Sequence, residues 1–225
     1  MSFQGTDGFT VYDRHGSLAF RVDNYSRNSR SCSSLGANGT GSSSGSKALI
    51  LMDGSGTPLL TLKPQIFCIQ NQWNGFLYNE DHKGFPKSDQ KIFMMRRPNS
   101  KFVFGQTKNK ETQCEAEVFF IHPSKESEAE GGCKEPSRRQ PDYRIEGSFW
   151  NRNCKIRSTT SGEVAAKIMR KRTTTTTMTS STLILSEEVF SLVVQPGFDP
   201  QIIMAFVIIL DRICVKPVFT PLVCS

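Results

Sequence analysis

The feature that most constrains the fold is a run of nine apolar residues, 202–210, near the C-terminal end. Asp199 and Pro200 stand just before it, and Asp at the N-cap followed by Pro at the first helical position strongly favours a helix start. We therefore predict a helix over residues 199–214. A surface helix would show a polar face, but this one is apolar on every side, so the rest of the protein should enclose it.

The same apolar run also bears on whether the chain crosses a membrane. A helix that crosses a bilayer needs about 20 apolar residues, so we predict no transmembrane span. The first ten residues show neither a basic nor an apolar stretch of the kind found in signal peptides. The seven cysteines are odd in number and form no CxxC pair, which favours reduced thiols. We expect a cytoplasmic protein that is peripheral at a membrane or nuclear.

Short alternating runs dominate the rest of the chain and are typical of strands. Two hairpins are predicted, 9–12 with 18–22 and 48–52 with 59–62, each around a turn that contains Gly. Residues 173–182 favour an edge strand or a loop equally. The other predicted strands are 66–69, 76–78, 92–95, 102–104, 116–121, 143–150, 154–157, 164–169 and 189–194.

The chain of 225 residues suits a single domain over 1–225. Residues 26–46 contain 13 Ser or Gly among 21, so we predict a mobile insert there. Residues 122–142 are charged and contain two glycines and several prolines, which indicates a second exposed loop. Two architectures fit this pattern: a closed barrel threaded by the helix, or a β-sandwich with the helix packed on one face.

Several segments of the chain form a set of motifs. The most specific is VFSLVVQPGFDP at 189–200. The others are DGFTVYD at 7–13, FRVDNY at 20–25, LILMDGSG at 49–56, PLLTL at 58–62, IEGSF at 145–149 and AAKI at 165–168. Together these segments resemble the plant LURP-one-related family, and the match runs from about residue 7 to residue 213.

The family resembles the tubby C-terminal domain and the phospholipid scramblases. The resemblance implies a closed antiparallel barrel of about twelve strands around a hydrophobic C-terminal helix. Family members usually carry another strand before the segment that matches Asp7, and here only residues 1–6 precede it, so the barrel is either complete or one strand short. The insert 26–46 is longer than the usual connection, and the tail 215–225 has no clear counterpart.

No set of residues predicts catalysis. The string GSSSG at 41–45 fits a nucleophile pattern but lies in low-complexity sequence, without the strand and helix that such a turn needs. His15, His82 and His122 are scattered, and none stands at a zinc-ligand spacing from a cysteine. We predict a non-enzymatic protein with no cofactor, no metal and no catalytic residues.

The net charge of +7 is concentrated in the segments around residues 83–110 and 138–172. If Ala166 and Ile168 face the core, strand alternation turns Lys167 outward, and Lys155 on the preceding strand turns outward too. Arg157 is expected opposite Glu163, which would neutralise its charge. The candidate anion contacts that remain are Lys155, Lys167, Arg170, Lys171 and Arg172.

This basic face has two interpretations. The plain one is a solvated strand face with ordinary solubilising charge. The functional one, implied by the tubby relatives, is contact with membrane phosphoinositides or a protein partner, in a defence-related scaffold or tethering module. The alternative function is a nucleic-acid-associated, membrane-tethered regulator resembling a transcription factor. It ranks lower, because the basic segments lack interleaved aromatic residues for base stacking. The oligomeric state is left open.

Overall fold

The computed structural model describes residues 2–3, 9–24, 48–65, 71–79, 90–98, 114–121, 139–174, 182–184 and 189–214. Within these ranges the chain is mainly β, with one helix near its C-terminal end. The strands are β1 (Ser2–Phe3), β2 (Phe9–Tyr12), β3 (Leu18–Asn24), β4 (Leu49–Asp53), β5 (Pro58–Pro64), β6 (Trp73–Leu77), β7 (Lys91–Arg96), β8 (Cys114–Phe120), β9 (Tyr143–Ser148), β10 (Asn153–Ser158), β11 (Val164–Arg170), β12 (Arg172–Thr174), β13 (Thr182–Ile184) and β14 (Phe190–Val194). The helix is α1 (Pro200–Ile213).

Twelve strands form one antiparallel sheet that follows the chain from β1 to β11 and ends with β14. The remaining pair, β12 and β13, forms a separate two-stranded ribbon between β11 and β14. The mainly β fold with one antiparallel sheet and a C-terminal helix is therefore confirmed. The predicted strands 66–69 and 102–104, the insert 26–46, residues 122–138 of the charged loop and the tail 215–225 lie outside the described residues.

Aspartates build the two predicted hairpin turns. Asp13 Oδ1 accepts hydrogen bonds from the backbone N–H of His15 at 2.8 Å and of Ser17 at 2.9 Å. Asp53 Oδ1 does the same for Ser55 at 2.9 Å and Thr57 at 2.8 Å. A short side chain that satisfies backbone donors in this way specifies a tight turn, and a tight turn sets the register of the strands it joins.

Helix α1 is the centre of the core. Asp199 caps it by accepting a hydrogen bond from Gln201 N at 2.8 Å, as predicted. The Phe206 ring packs against Phe93 of β7 and Tyr143 of β9, with centroids 5.1 and 5.6 Å apart. Residues 203–210 are at most 1 % exposed. The prediction that this apolar helix is enclosed core is confirmed.

The two ends of the large sheet are β1 and β14. Among the described residues no ladder joins these two strands, so hydrogen bonding does not close the sheet into a ring. Ser2 and Phe3 of β1 pair with Thr10 and Phe9 of β2. A short strand therefore precedes Asp7, where the resemblance to the family left open whether such a strand exists. The antiparallel sheet is thus established, whereas the closed barrel of the sequence prediction is not.

Candidate functional site

The predicted basic face centres on the hairpin of β10 and β11. Lys155 on β10 and Lys167 on β11 lie directly opposite each other in the ladder, and both are exposed. Their neighbours Cys154, Ile156 and Ile168 are fully buried, as strand alternation predicts. The sheet therefore holds two ammonium groups side by side on its outer face, where like charges directly opposite are destabilising.

The structure places the other three candidates differently. Arg170 is half-buried, has the parity of the inward residues of β11, and lies opposite buried Phe190 of β14. Lys171 is exposed just after β11. Arg172 begins β12, and its side chain lies outside the described residues. The structure therefore brings Lys155 and Lys167 together. Lys171 lies beyond them, just after the end of β11, and Arg170 is separated from them by its inward position.

The ion pair predicted for Arg157 is wrong. Without a bulge Arg157 would lie opposite Ala165. The bulge after Ile156 moves its partner by one residue to Val164, which is one residue short of Glu163. Its Nε approaches Glu146 Oε2 of β9 at 3.3 Å, and its Nη1 donates to the Gly162 carbonyl at 2.7 Å. The charge of Arg157 is thus neutralised by Glu146 of β9, on the side of β10 away from β11.

This pairing leaves the two lysines without a counterion among the residues that the structure describes. Glu146 lies opposite Lys155 in the ladder, but its carboxylate is engaged by Arg157. Arg144 on the same face bridges to Glu117, with Nη2 and Oε1 3.7 Å apart. Within the described part of the chain, no acidic group lies within 4.0 Å of the ammonium of either Lys155 or Lys167.

Exposed apolar side chains surround the lysine pair. Val193 of β14 lies opposite Lys167, and Met169 follows Lys167 on the same face of β11. Trp150 lies in the turn between β9 and β10. Their exposed fractions are 40 % for Val193 and 44 % for Met169 and Trp150. Strand alternation along β11 predicts that Met169 faces outward. The sequence reasoning missed Trp150 and Val193. The same alternation along β14 was a usable signal for Val193.

A buried polar cluster lies near the C-terminal end of α1. The guanidinium of Arg152 lies over the rings of both Phe149 and Phe190, at 4.5 and 4.6 Å from their centroids, and the two rings contact each other edge to face. Burial raises the pKa of the Asp211 carboxyl, and the charges of Arg212 and Arg152 oppose that rise. The sequence reasoning singled out none of these residues, because they meet only when the β9–β10 turn, β14 and the helix pack together.

The thiols near this cluster are poorly suited to nucleophilic chemistry. Burial raises the pKa of Cys214 to about 12, with Glu115 adding to the effect, and that of Cys114 to about 11. Burial also raises the pKa of the Cys154 thiol. Since the thiolate is the reactive form, these cysteines are inert at neutral pH. Among the residues that the structure describes, no group of three or more His, Cys, Asp or Glu side chains could hold a metal ion.

The histidines considered earlier do not add a second site among the described residues. His15 is exposed in the β2–β3 turn, where its Nε2 accepts a hydrogen bond from Arg14 Nε at 2.9 Å. His82, His122 and the string 41–45 lie outside the described residues. Across the described ranges, no helix is both long enough and apolar enough to cross a bilayer.

The geometry defines a class of protein: one long antiparallel sheet packed around a buried C-terminal helix, with two exposed lysines on its last strands that have no counterion among the described residues. The sequence model of the LURP-one-related family matches residues 1–211. The chain belongs to the LURP-one-related family.

Individual relatives agree with this assignment. The chain is 34 % identical to Protein LURP-one-related 5 of Arabidopsis thaliana over 211 residues, which cover 94 % of this chain and 78 % of that protein. It is 31 % identical to Protein LURP-one-related 12 of the same plant, covering 94 % and 73 %. A crystal structure of an Arabidopsis thaliana protein shares the fold, with a TM-score of 0.50 and 20 % identity over 92 % of this chain and 84 % of that one.

Proposed function

We propose that this protein is a non-enzymatic docking module that binds an anionic, phosphoinositide-containing membrane surface through the outer face of β10 and β11. The observation that carries the proposal is the directly opposed pair Lys155 and Lys167, both exposed and without a counterion among the described residues. Two adjacent ammonium groups repel each other when the face is empty, and an anionic surface relieves that repulsion. A scaffold or tether in plant defence, on the cytoplasmic side of a membrane, is the role that follows for this family.

The lysines alone provide weak binding. A Lys near an anionic bilayer contributes about 1 kcal/mol, so Lys155, Lys167 and Lys171 together contribute about 3 kcal/mol. A dissociation constant of about 1 mM already corresponds to about 4 kcal/mol. Recruitment of this protein therefore needs a further contribution from the same face, from a shaped headgroup contact or from a partner protein.

The proposal includes closure of the sheet between β14 and β1, the finer part of the fold that the resemblance implies. Support comes from the helix, since residues 203–210 are at most 1 % exposed and an open face of the sheet would leave part of them in contact with water. Kinship with the tubby domain and the scramblases belongs to the same proposal.

Vesicle flotation tests the function. Phosphatidylcholine vesicles with and without phosphatidylinositol bisphosphate are mixed with the protein at low salt, where electrostatic attraction is strongest. We expect flotation only with the phosphorylated lipid, and loss of flotation in the double variant Lys155→Glu/Lys167→Glu.

The matched control is Arg14→Glu/Arg21→Glu, which makes the same change in net charge on the exposed β2–β3 hairpin. It should float like the native protein. Equal loss in both double variants would show a response to net charge alone and would contradict a defined face. A salt-dependent shift of DNA without any flotation would favour the nucleic-acid alternative instead.

A further inference from the structure

We propose that Trp150, Met169 and Val193 are apolar anchors that enter the headgroup region of a lipid bilayer while Lys155 and Lys167 contact its phosphates. This inference rests on the proposed function, and it assigns the partner as a bilayer rather than a soluble anion. It starts from the distribution of exposed apolar side chains, an observation separate from the charge.

Large exposed apolar side chains are concentrated at this face. Five occur in the described residues. Two of them, Met169 and Val193, lie next to Lys167 in the ladder, and Trp150 lies in the turn that leads into β10. The other two, Tyr12 and Leu77, lie on β2 and β6, which pair with none of β10, β11 and β14 in the described ladders. A face that served only to keep the protein in solution would not combine unpaired lysines with exposed Met, Val and Trp side chains.

The ladder fixes how these groups are arranged. Lys167 lies between Lys155 on β10 and Val193 on β14, so cation, cation and apolar side chain form one row across three strands. Met169 lies in the next row on the same face, opposite Asn153, which begins β10 just after the turn that contains Trp150. The apolar residues thus border the cationic row along β14 and towards the β9–β10 turn.

The chemistry of this arrangement fits a bilayer better than other anionic partners. The cytoplasmic leaflet presents negative charge above an apolar layer, and Lys can reach phosphate from its apolar stem while neighbouring side chains are buried below. Trp is favoured at this depth, because its ring is apolar and its N–H remains near water. A soluble inositol phosphate offers nothing for Met169 and Val193 to contact.

The test compares one triple-substitution variant of the full chain with one double-substitution control. Trp150→Ser/Met169→Ser/Val193→Ser should bind phosphatidylinositol bisphosphate vesicles roughly tenfold more weakly, because the buried apolar area is lost. Its binding to soluble inositol trisphosphate should be unchanged. The control Tyr12→Ser/Leu77→Ser removes exposed apolar surface elsewhere and should bind vesicles like the native protein.

A second measurement keeps all three apolar side chains in place, so its result does not depend on whether the triple variant folds. The chain has two tryptophans, and Trp73→Phe leaves Trp150 as the reporter. On vesicle binding, Trp150 emission should shift to shorter wavelength and be quenched by lipids brominated on their acyl chains. Unchanged emission with full vesicle binding would overturn the inference.

The outcomes separate the two proposals. If the lysine variant loses vesicle binding and the folded apolar variant keeps it, the anchors are wrong and the docking function stands. If neither variant changes vesicle binding, or if native protein does not bind, both proposals fail. Tight binding of inositol trisphosphate with no preference for vesicles would also overturn the bilayer assignment.

Discussion

Arg152 combines a left-handed backbone with a nearly buried cation. Its φ is +52°, and it is 8 % exposed. The backbone N–H donates to the Phe149 carbonyl at 2.9 Å and closes the β9–β10 turn, while the guanidinium lies over the rings of Phe149 and Phe190. A non-glycine residue in this conformation costs about 1–2 kcal/mol, so the stacked side chain has to offset that cost.

We expect Arg152→Ala to lower the free energy of unfolding by about 2 kcal/mol, because both cation–π contacts are lost and the backbone cost remains. Arg152→Gly loses the same contacts but adopts positive φ freely, so it should be more stable than the Ala variant by about 1 kcal/mol. Urea unfolding followed by circular dichroism measures both. An Ala variant as stable as the native protein would show that the stacking contributes nothing.

Single residues differ in how far the sequence predicts them. Lys155 and Lys167 were predictable, because alternation along a strand depends only on immediate neighbours. Arg152 was not, since its partners come from a turn, from β14 and from the helix. The partner of Arg157 was predicted wrongly because the acid that it contacts, Glu146, lies on β9, on the side of β10 away from Glu163, and the sequence of the β10–β11 hairpin carries no signal of that strand.

At the scale of the element, helix α1 is the part of the fold on which the others depend. Val207 is 0 % exposed in the middle of the helix. Val207→Asp would bury a carboxylate without a counterion and should destabilise the protein by several kcal/mol, enough to abolish cooperative unfolding. Thermal unfolding measures the effect.

Gln201→Asp is the matched control, because it introduces the same side chain at an exposed position in the first turn, where the helix dipole favours negative charge. It should melt like the native protein. If Val207→Asp instead stayed folded and only lost membrane association, the helix would be an external anchor and the core assignment would be wrong.

Elements were predicted well where one periodicity dominated. Period-two alternation identified β10, β11 and β14, and the Asp-Pro start with its apolar run identified α1. The Thr-rich region was ambiguous, because Thr favours strands without marking which face is buried. The structure pairs Arg172–Thr174 with Thr182–Ile184 there, as a ribbon apart from the main sheet.

At the scale of the whole molecule, the open question is how β14 and β1 lie at the ends of the sheet. If the sheet closes, as we propose, the β14 amides that do not bond to β11 should be protected from hydrogen exchange nearly as well as those that do. Exchange followed residue by residue over Phe190–Val194 measures this. Rapid exchange of alternate amides along β14 would show an open edge.

Closure could not be predicted from the sequence, because it depends on pairing the first strand with the last, at the largest separation in the chain. Neighbouring strands of a meander are joined by short turns, whose residues leave a local signature. The contact between the ends leaves none. The pattern of strands and helix left a closed barrel and a β-sandwich as alternatives, and only the resemblance to the family favoured the barrel.

The place of α1 after every strand of the sheet has a consequence for biosynthesis. A ribosome releases the strands first, and each emerges with an apolar inner face but without the segment that covers it. We therefore expect the sheet to fold cooperatively only after translation has delivered the helix, and the nascent chain to need chaperones that shield those faces until then.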